Sequence, residues 1–168
     1  YNWPQALKVC LLSIKRQSVL PDEVIIADDG SKEETRLLID EMKIDFPVPL
    51  IQVWQPDEGF QLARIRNKAI AKSSGDYIIQ IHGDLLLHRH FIKDHILFRE
   101  QGYFVTGSRV LMNEELSRKI LRDPELTVSI FSKGVKNFFN GIRAKKVGEL
   151  LAKRYRSSKS IYYVKGCN

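Results

Sequence analysis

Asp28 and Asp29 close the run VIIADDGS (Val24 to Ser31), and Asp84 closes the run YIIQIHGD (Tyr77 to Asp84). Each run is β-branched and apolar and stops abruptly in carboxylate plus glycine. An apolar run of that length, bounded by turn residues, reads as a buried strand of a mostly parallel sheet. In open α/β sheets ligands bind just beyond the carboxyl ends of the strands. Asp28, Asp29 and Asp84 are therefore expected to converge on one crevice. Hard cations such as Mg2+ and Mn2+ prefer carboxylate oxygen, so an acidic rim suits a divalent cation and polar ligand groups. Asp-Gly and Gly-Asp are also ordinary turn chemistry. Their weight comes from falling in register with a βαβ alternation.

That alternation is legible in the spacing. Leu7, Cys10, Leu11 and Ile14 predict a helix over residues 3–15, with Asn2 as its cap and Pro4 in its first turn. The strand at 24–28 leads into a helix over 32–44, capped by Ser31 and favoured by Glu33 and Glu34 in its first turn. Pro47 and Pro49 break that helix, and residues 50–54 return as a strand. Gly59 opens a third helix with Leu62, Ala63, Ala69 and Ile70 as its apolar members, and residues 76–81 form the next strand. The order α-β-α-β-α-β is a parallel doubly wound pattern whose first strand would precede Tyr1. Beyond Asp84 the pattern predicts a helix over 90–99, a short strand over 103–106, a basic helical region over 112–159 and a strand over 161–164.

A chain of 168 residues, 43% of them hydrophobic, is long enough for one domain with a real core. No stretch approaches the roughly 20 apolar residues that span a bilayer, and no signal peptide is visible. The opening Tyr1, Asn2, Trp3, Pro4 has no Met and reads as the turn entering a helix, so a fragment is expected. Cys10 and Cys167 form no metal-spacing motif; Cys10 is expected in the core, and two unpaired thiols favour a reducing compartment. The net charge of +7 calls for an anionic partner: nucleic acid, a phospholipid surface or a nucleotide diphosphate. Residues 133–159 hold nine Lys/Arg against one acid, Glu149. Phe138, Phe139 and Tyr155 interleave that run, but it carries no nucleic-acid motif, which disfavours nucleic acid. A solvated or acceptor-side surface comes first, an anionic membrane or glycan contact second. His88, His90 and His95 do not make a metal motif, because the i,i+5 spacing does not place His90 and His95 on one helix face.

In order and spacing, Tyr1-Asn2, the DDGS of Asp28 to Ser31, Glu58-Gly59, Ala63 to Arg66-Asn67, and His82-Gly83-Asp84 resemble the signposts of family 2 glycosyltransferases. Lys165, Gly166, Cys167 and Asn168 add to this, resembling an acceptor-side segment of the branch with bacterial chondroitin-type polymerase and galactosyltransferase domains. The resemblance covers nearly the whole chain. It implies an α/β GT-A fold, a Rossmann-like, mostly parallel sheet flanked by helices, here incomplete at both ends. Residues 1–110 would form the nucleotide-sugar-binding half, and 111–168 the basic helical region and the start of the acceptor half. It further implies sugar transfer with inversion from a nucleotide-diphosphate sugar, UDP-sugars first, to a glycan or lipid-linked acceptor hydroxyl. Mg2+ or Mn2+ would assist, in the cytoplasm or at the cytoplasmic face of the membrane.

The resemblance also implies roles. Tyr1, with Asn2 beside it, and the first acidic pair would face the nucleoside, where Asp28 or Asp29 can accept the uracil N3–H. Arg66 matches a family arginine near the nucleotide, able to pair with phosphate or base oxygens. His82-Gly83-Asp84 stands where the family has Asp-x-Asp, in which the first acid contacts ribose or metal and the last holds the cation. Asp84 keeps the cation role. His82 can hydrogen-bond ribose or ligate Mn2+, but is neutral or positive where a negative charge is the pattern. The general base, in the family an acid on a helix well after the Gly-Cys-Asn segment, is expected beyond Asn168; Glu114 and Glu115 read as the exposed start of a helix. Two competitors remain: a degenerate nucleotide-sugar binder, motivated by His82, and a nucleotidyltransferase of similar architecture.

Overall fold

The structure is a computed structural model that describes residues 1–144 and 148–150. It divides into two compact units: Tyr1–Ile79 with Gly83–Ile92, and Gln80–His82 with the described residues from Lys93 on.

The first unit carries the α/β alternation. Helix α1 (Pro4–Lys15) has proline in its first turn, where a missing N–H is harmless, and buries Ala6, Val9, Cys10, Leu11 and Ile14. Strand β1 (Val24–Asp28) and strand β2 (Leu50–Trp54) pair in parallel, in a register that sets Val24 against Leu50 and Asp28 against Trp54. Helix α2 (Glu33–Lys43) connects them, with Glu33 and Glu34 in its first turn as the helix dipole favours. Helix α3 (Leu62–Lys72) packs against both strands, α2 against β2, and α1 against α2. Leu11, Ile39 and Ile65, one from each helix, are the largest fully buried side chains.

The second unit holds α4 (Phe91–Phe98) from Lys93 on, a two-residue antiparallel pairing of β3 (Leu111–Met112) with β4 (Val135–Lys136), α5 (Glu114–Arg122), and a 3-10 turn over Phe138–Gly141. Asn113 caps α5 by accepting a hydrogen bond from Leu116 N–H at 2.9 Å.

Several sequence expectations are corrected. Neither 76–81 nor 103–106 forms a strand. Burial alternates over the former, with Tyr77, Ile79 and Ile81 less exposed than Ile78 and Gln80, so the strand-like pattern is there without a hydrogen-bonded ladder. Of the expected helical region over 112–159, residues 112–144 form only α5 and the short 3-10 turn as helical elements, and β4 interrupts the stretch. In α3 the buried residue is Ile65, while Ala63 and Ile70 are exposed. Asn2 and Ser31 do not cap α1 and α2; they bond each other instead, Asn2 N–H donating to Ser31 Oγ at 3.1 Å. The strand expected at 161–164, the aromatic Tyr155, and Lys165, Gly166, Cys167 and Asn168 lie outside the described residues.

Candidate functional site

The carboxyl ends of β1 and β2 gather polar side chains into one hydrogen-bonded cluster. Asp28, the last residue of β1, is 5% exposed, and both of its oxygens are engaged. Oδ1 accepts from Ser31 N–H at 2.9 Å and Oδ2 from Gln52 Nε2 at 2.8 Å. Asp28 thereby closes the turn between β1 and α2. Asp29 is half-buried: Oδ1 accepts from Gln55 Nε2 at 2.6 Å and Oδ2 from Gln61 N–H at 2.8 Å. Gln61 is the residue entering α3, so Asp29 ties β1 to the start of that helix. A carboxylate has about four lone-pair sites. Two of Asp29's are used by these partners, and the half-exposed group retains acceptor capacity.

Tyr1 belongs to the same cluster. Its hydroxyl donates to Asp57, which raises the phenol's pKa, and the negative charge of Asp29 adds to the shift. Reciprocally, the Tyr1 hydroxyl, followed by the Gly59 N–H, holds the Asp57 carboxyl below the usual carboxylate range. Asn2 has a left-handed backbone (φ 49°), and its Oδ1 accepts from Lys32 N–H at 2.8 Å, fixing the chain start against the entry to α2. Gly30 makes the close approach possible. Its φ is +89°, and a Cβ there would stand 2.6 Å from Asp57 Cα. Trp54 Nε1 donates to Ser31 O at 3.1 Å. The following loop is braced by Glu58 with Arg64 at 3.4 Å and by Arg64 Nη1 donating to Gln61 Oε1 at 2.9 Å.

Arg66, on α3, is half-buried, with no hydrogen bond or ion pair among the described residues. Asp84 is placed by a separate device. Gln17, 8% exposed, donates to Ser13 O at 3.1 Å and His88 O at 2.9 Å and accepts from Ile92 N–H at 3.1 Å. Ser13 Oγ accepts from Leu87 N–H at 3.1 Å, so the segment after Gly83 is laced onto α1. Asp84 lies close enough to Cys10 for its charge to act on that thiol. Burial, aided by Asp84, pushes Cys10 up to about 11, while the Leu85 backbone opposes the shift. Cys10 is thus the core residue expected of it, 2% exposed.

Asp28, Asp29 and Asp84 do not form a three-carboxylate cation site. Among the described residues no group of three or more His, Cys, Asp or Glu side chains could hold a metal ion. The reason is local: Asp28 uses its oxygens to close a turn, and Asp84 follows α1. Asp84 is exposed and no hydrogen bond to its carboxylate is found among the described residues, so it fits a cation held by one carboxylate and completed by phosphate oxygens. His82 falls in the second unit and Gly83 in the first. Glu114 and Glu115 are exposed in the first turn of α5, where they pair with Arg118 and with Lys119, the latter at 2.7 Å. Gln52, Gln55, Asp57 and Gln61 were not singled out by sequence reasoning. Asp57 carries a weaker signal of the same kind, three residues past the end of β2.

The cluster stands at the strand ends of an α/β domain, and comparison gives the family of the chain. The family model for glycosyl transferase family 2 matches residues 1–155. The chain belongs to glycosyl transferase family 2, a family of GT-A fold whose members commonly use divalent metals. It is 31% identical over 101 residues to the uncharacterized glycosyltransferase YfnE of Bacillus subtilis, covering 60% of this chain and 25% of that protein. It is 25% identical over 135 residues to chondroitin synthase of Pasteurella multocida (77% of this chain, 14% of that protein). The chondroitin synthase of Escherichia coli is 30% identical over 86 residues (51% and 12%). The chain spans a quarter or less of the length of these relatives. No solved structure matches it. Among the described residues no helix is long and apolar enough to cross a membrane.

Proposed function

We propose that the chain binds a uridine-diphosphate sugar at the carboxyl ends of β1 and β2 and transfers its sugar, with inversion, to a hydroxyl of a glycan or lipid-linked acceptor. The observation that carries this reading is Asp29, a half-exposed carboxylate held by Gln55 and Gln61. A carboxylate only accepts hydrogen bonds, and the uracil N3–H is a donor where cytosine presents an acceptor. Tyr1 and Asn2 complete the nucleoside side of the site. Arg66, whose guanidinium has no ion pair among the described residues, is assigned to the diphosphate or the base oxygens.

Asp84 would be the protein ligand of Mg2+ or Mn2+, with His82 as a second contact to ribose or metal and Gly83 between them. When bound, the cation offsets the charge on the leaving diphosphate. The crevice aligns donor and acceptor. The acceptor hydroxyl loses its proton to a carboxylate base as it attacks the anomeric carbon from the face opposite the diphosphate. Lys165, Gly166, Cys167 and Asn168 are assigned to the acceptor side. The likeness to two proteins named chondroitin synthase supports a polysaccharide acceptor. The +7 charge supports an anionic glycan or the anionic cytoplasmic face of a membrane.

A thermal-shift panel of UDP, CDP, ADP, GDP and UDP-sugars, with and without Mn2+, tests the reading. Ligand at about 100 times its Kd stabilises by about 2.7 kcal/mol. UDP compounds are expected to stabilise most, and more so with Mn2+. Equal stabilisation by every diphosphate would overturn the uridine assignment, and in a separate assay release of pyrophosphate from UTP by a sugar 1-phosphate, without sugar transfer from a UDP-sugar, would favour a nucleotidyltransferase.

A further inference from the structure

Gln55 is the most deeply buried polar side chain of the strand-end cluster, at 2% exposure. Its backbone N–H donates to Asp28 O at 3.2 Å and its Nε2 donates to Asp29 Oδ1 at 2.6 Å. Its Oε1 is buried with no hydrogen-bond partner among the described residues. A buried acceptor left without a donor is unfavourable. Turning the amide over does not relieve it, since Oε1 would then face a carboxylate oxygen, acceptor against acceptor. The orphaned oxygen is therefore the consequence of keeping Nε2 on Asp29. Packing alone does not call for this residue type: a methionine would fill a similar volume and leave no polar atom unsatisfied.

We infer that Gln55 is a positioning residue for base specificity: it aims the Asp29 carboxylate so that its remaining lone pairs meet the N3–H of uracil and repel the N3 of cytosine. The inference rests on the assignment of Asp29 to the nucleoside. Gln61 N–H, at 2.8 Å on the other oxygen, supplies the second point that an orientation needs. Without Gln55 the carboxylate is held at one oxygen only and can swing, still charged, away from the base.

UDP and CDP, which differ at the N3 and C4 positions of the base, are titrated calorimetrically into the native chain, Asp29→Asn, Gln55→Met and Gln55→Glu. The native chain is expected to favour UDP, and Asp29→Asn to lose that preference. Gln55→Met is expected to keep its CDP affinity within about twofold while the UDP advantage falls about tenfold, the effect of one lost hydrogen bond to a charged group. In Gln55→Glu two carboxyls meet, and burial puts the shared proton on residue 55, which then donates as the amide did. Its UDP advantage should be small at pH 8 and recover at pH 5.5, while the native ratio is the same at both. A Gln55→Met chain that keeps the UDP-to-CDP ratio, or loses both affinities equally, overturns the inference and leaves the Asp29 reading standing. A native chain without uridine preference overturns both. Should Gln55→Met give no cooperative melt, the pH dependence of Gln55→Glu decides, and a pH-independent ratio there refutes the role.

Discussion

Adjacent in sequence, Asp28 and Asp29 are expected to fail differently when removed. Asp28→Ala deletes a 5%-exposed carboxylate and strands two donors, Ser31 N–H at 2.9 Å and Gln52 Nε2 at 2.8 Å. A hydrogen bond to a charged group is worth about 1.5–3 kcal/mol. Allowing for partial rehydration of the half-buried Ser31, the loss is about 3–5 kcal/mol. At about 2–4 °C per kcal/mol for a chain of this size, Tm should fall by about 6–20 °C. Asp29→Ala removes a half-exposed group whose place water can take, so its melting point should fall less. Nucleotide selectivity should show the reverse order. Asp28→Ala, assayed well below its Tm, keeps the ratio of UDP to CDP affinity, and Asp29→Ala loses about ten- to a hundredfold of it. Differential scanning fluorimetry reads the first quantity and calorimetric titration the second. If Asp28→Ala abolishes the uridine preference with an unchanged Tm, the division of labour between the two acids is wrong.

Other consequences follow from the same contacts. Gly30→Ala forces a Cβ to 2.6 Å from the Asp57 backbone at φ +89°, so it should destabilise by more than the roughly 1–2 kcal/mol of a left-handed residue and weaken UDP binding as well. Ile65→Ala, at 0% exposure on α3, should cost about 2–5 kcal/mol in denaturant unfolding. Cys10, its thiol raised to about 11, should resist iodoacetamide at pH 8 in a Cys167→Ser background and react at the ordinary rate in urea; equal rates in both would contradict its burial. Burial lowers the pKa of His95, which is 3% exposed, and Asp94 only partly opposes the shift. The unfolded chain then takes up the proton first, so Tm should fall as pH drops below about 6.5 until the folded group titrates. His95→Gln should flatten that slope; an unchanged slope assigns it to other groups.

Much of the α/β half was legible because its signals are local. Pro4, Glu33-Glu34 and the β-branched runs at 24–28 and 50–54 specify α1, α2, β1 and β2 within a residue or two. Residues 76–81 show where locality ends. Their alternation is preserved in burial, but a strand also needs a hydrogen-bonded neighbour, which no single run encodes. The β3–β4 pairing was invisible because two-residue strands have no period; it is closed by Gly134 at φ +99° and by Asn113 N–H donating to Gly134 O at 2.8 Å. In the site, strand-end logic found Asp28 and Asp29 but could not divide their roles. That division depends on which donors a later loop delivers, and Gln52, Gln55 and Gln61 are 24, 26 and 32 residues away from their acids.

Amide hydrogen exchange with and without UDP tests most directly where the nucleotide binds. Slowed exchange is expected at Ser31, Lys32 and Gln61, whose N–H groups are held by Asp28, Asn2 and Asp29. UDP that binds yet protects only amides between residues 93 and 144, leaving those three unchanged, would contradict this expectation.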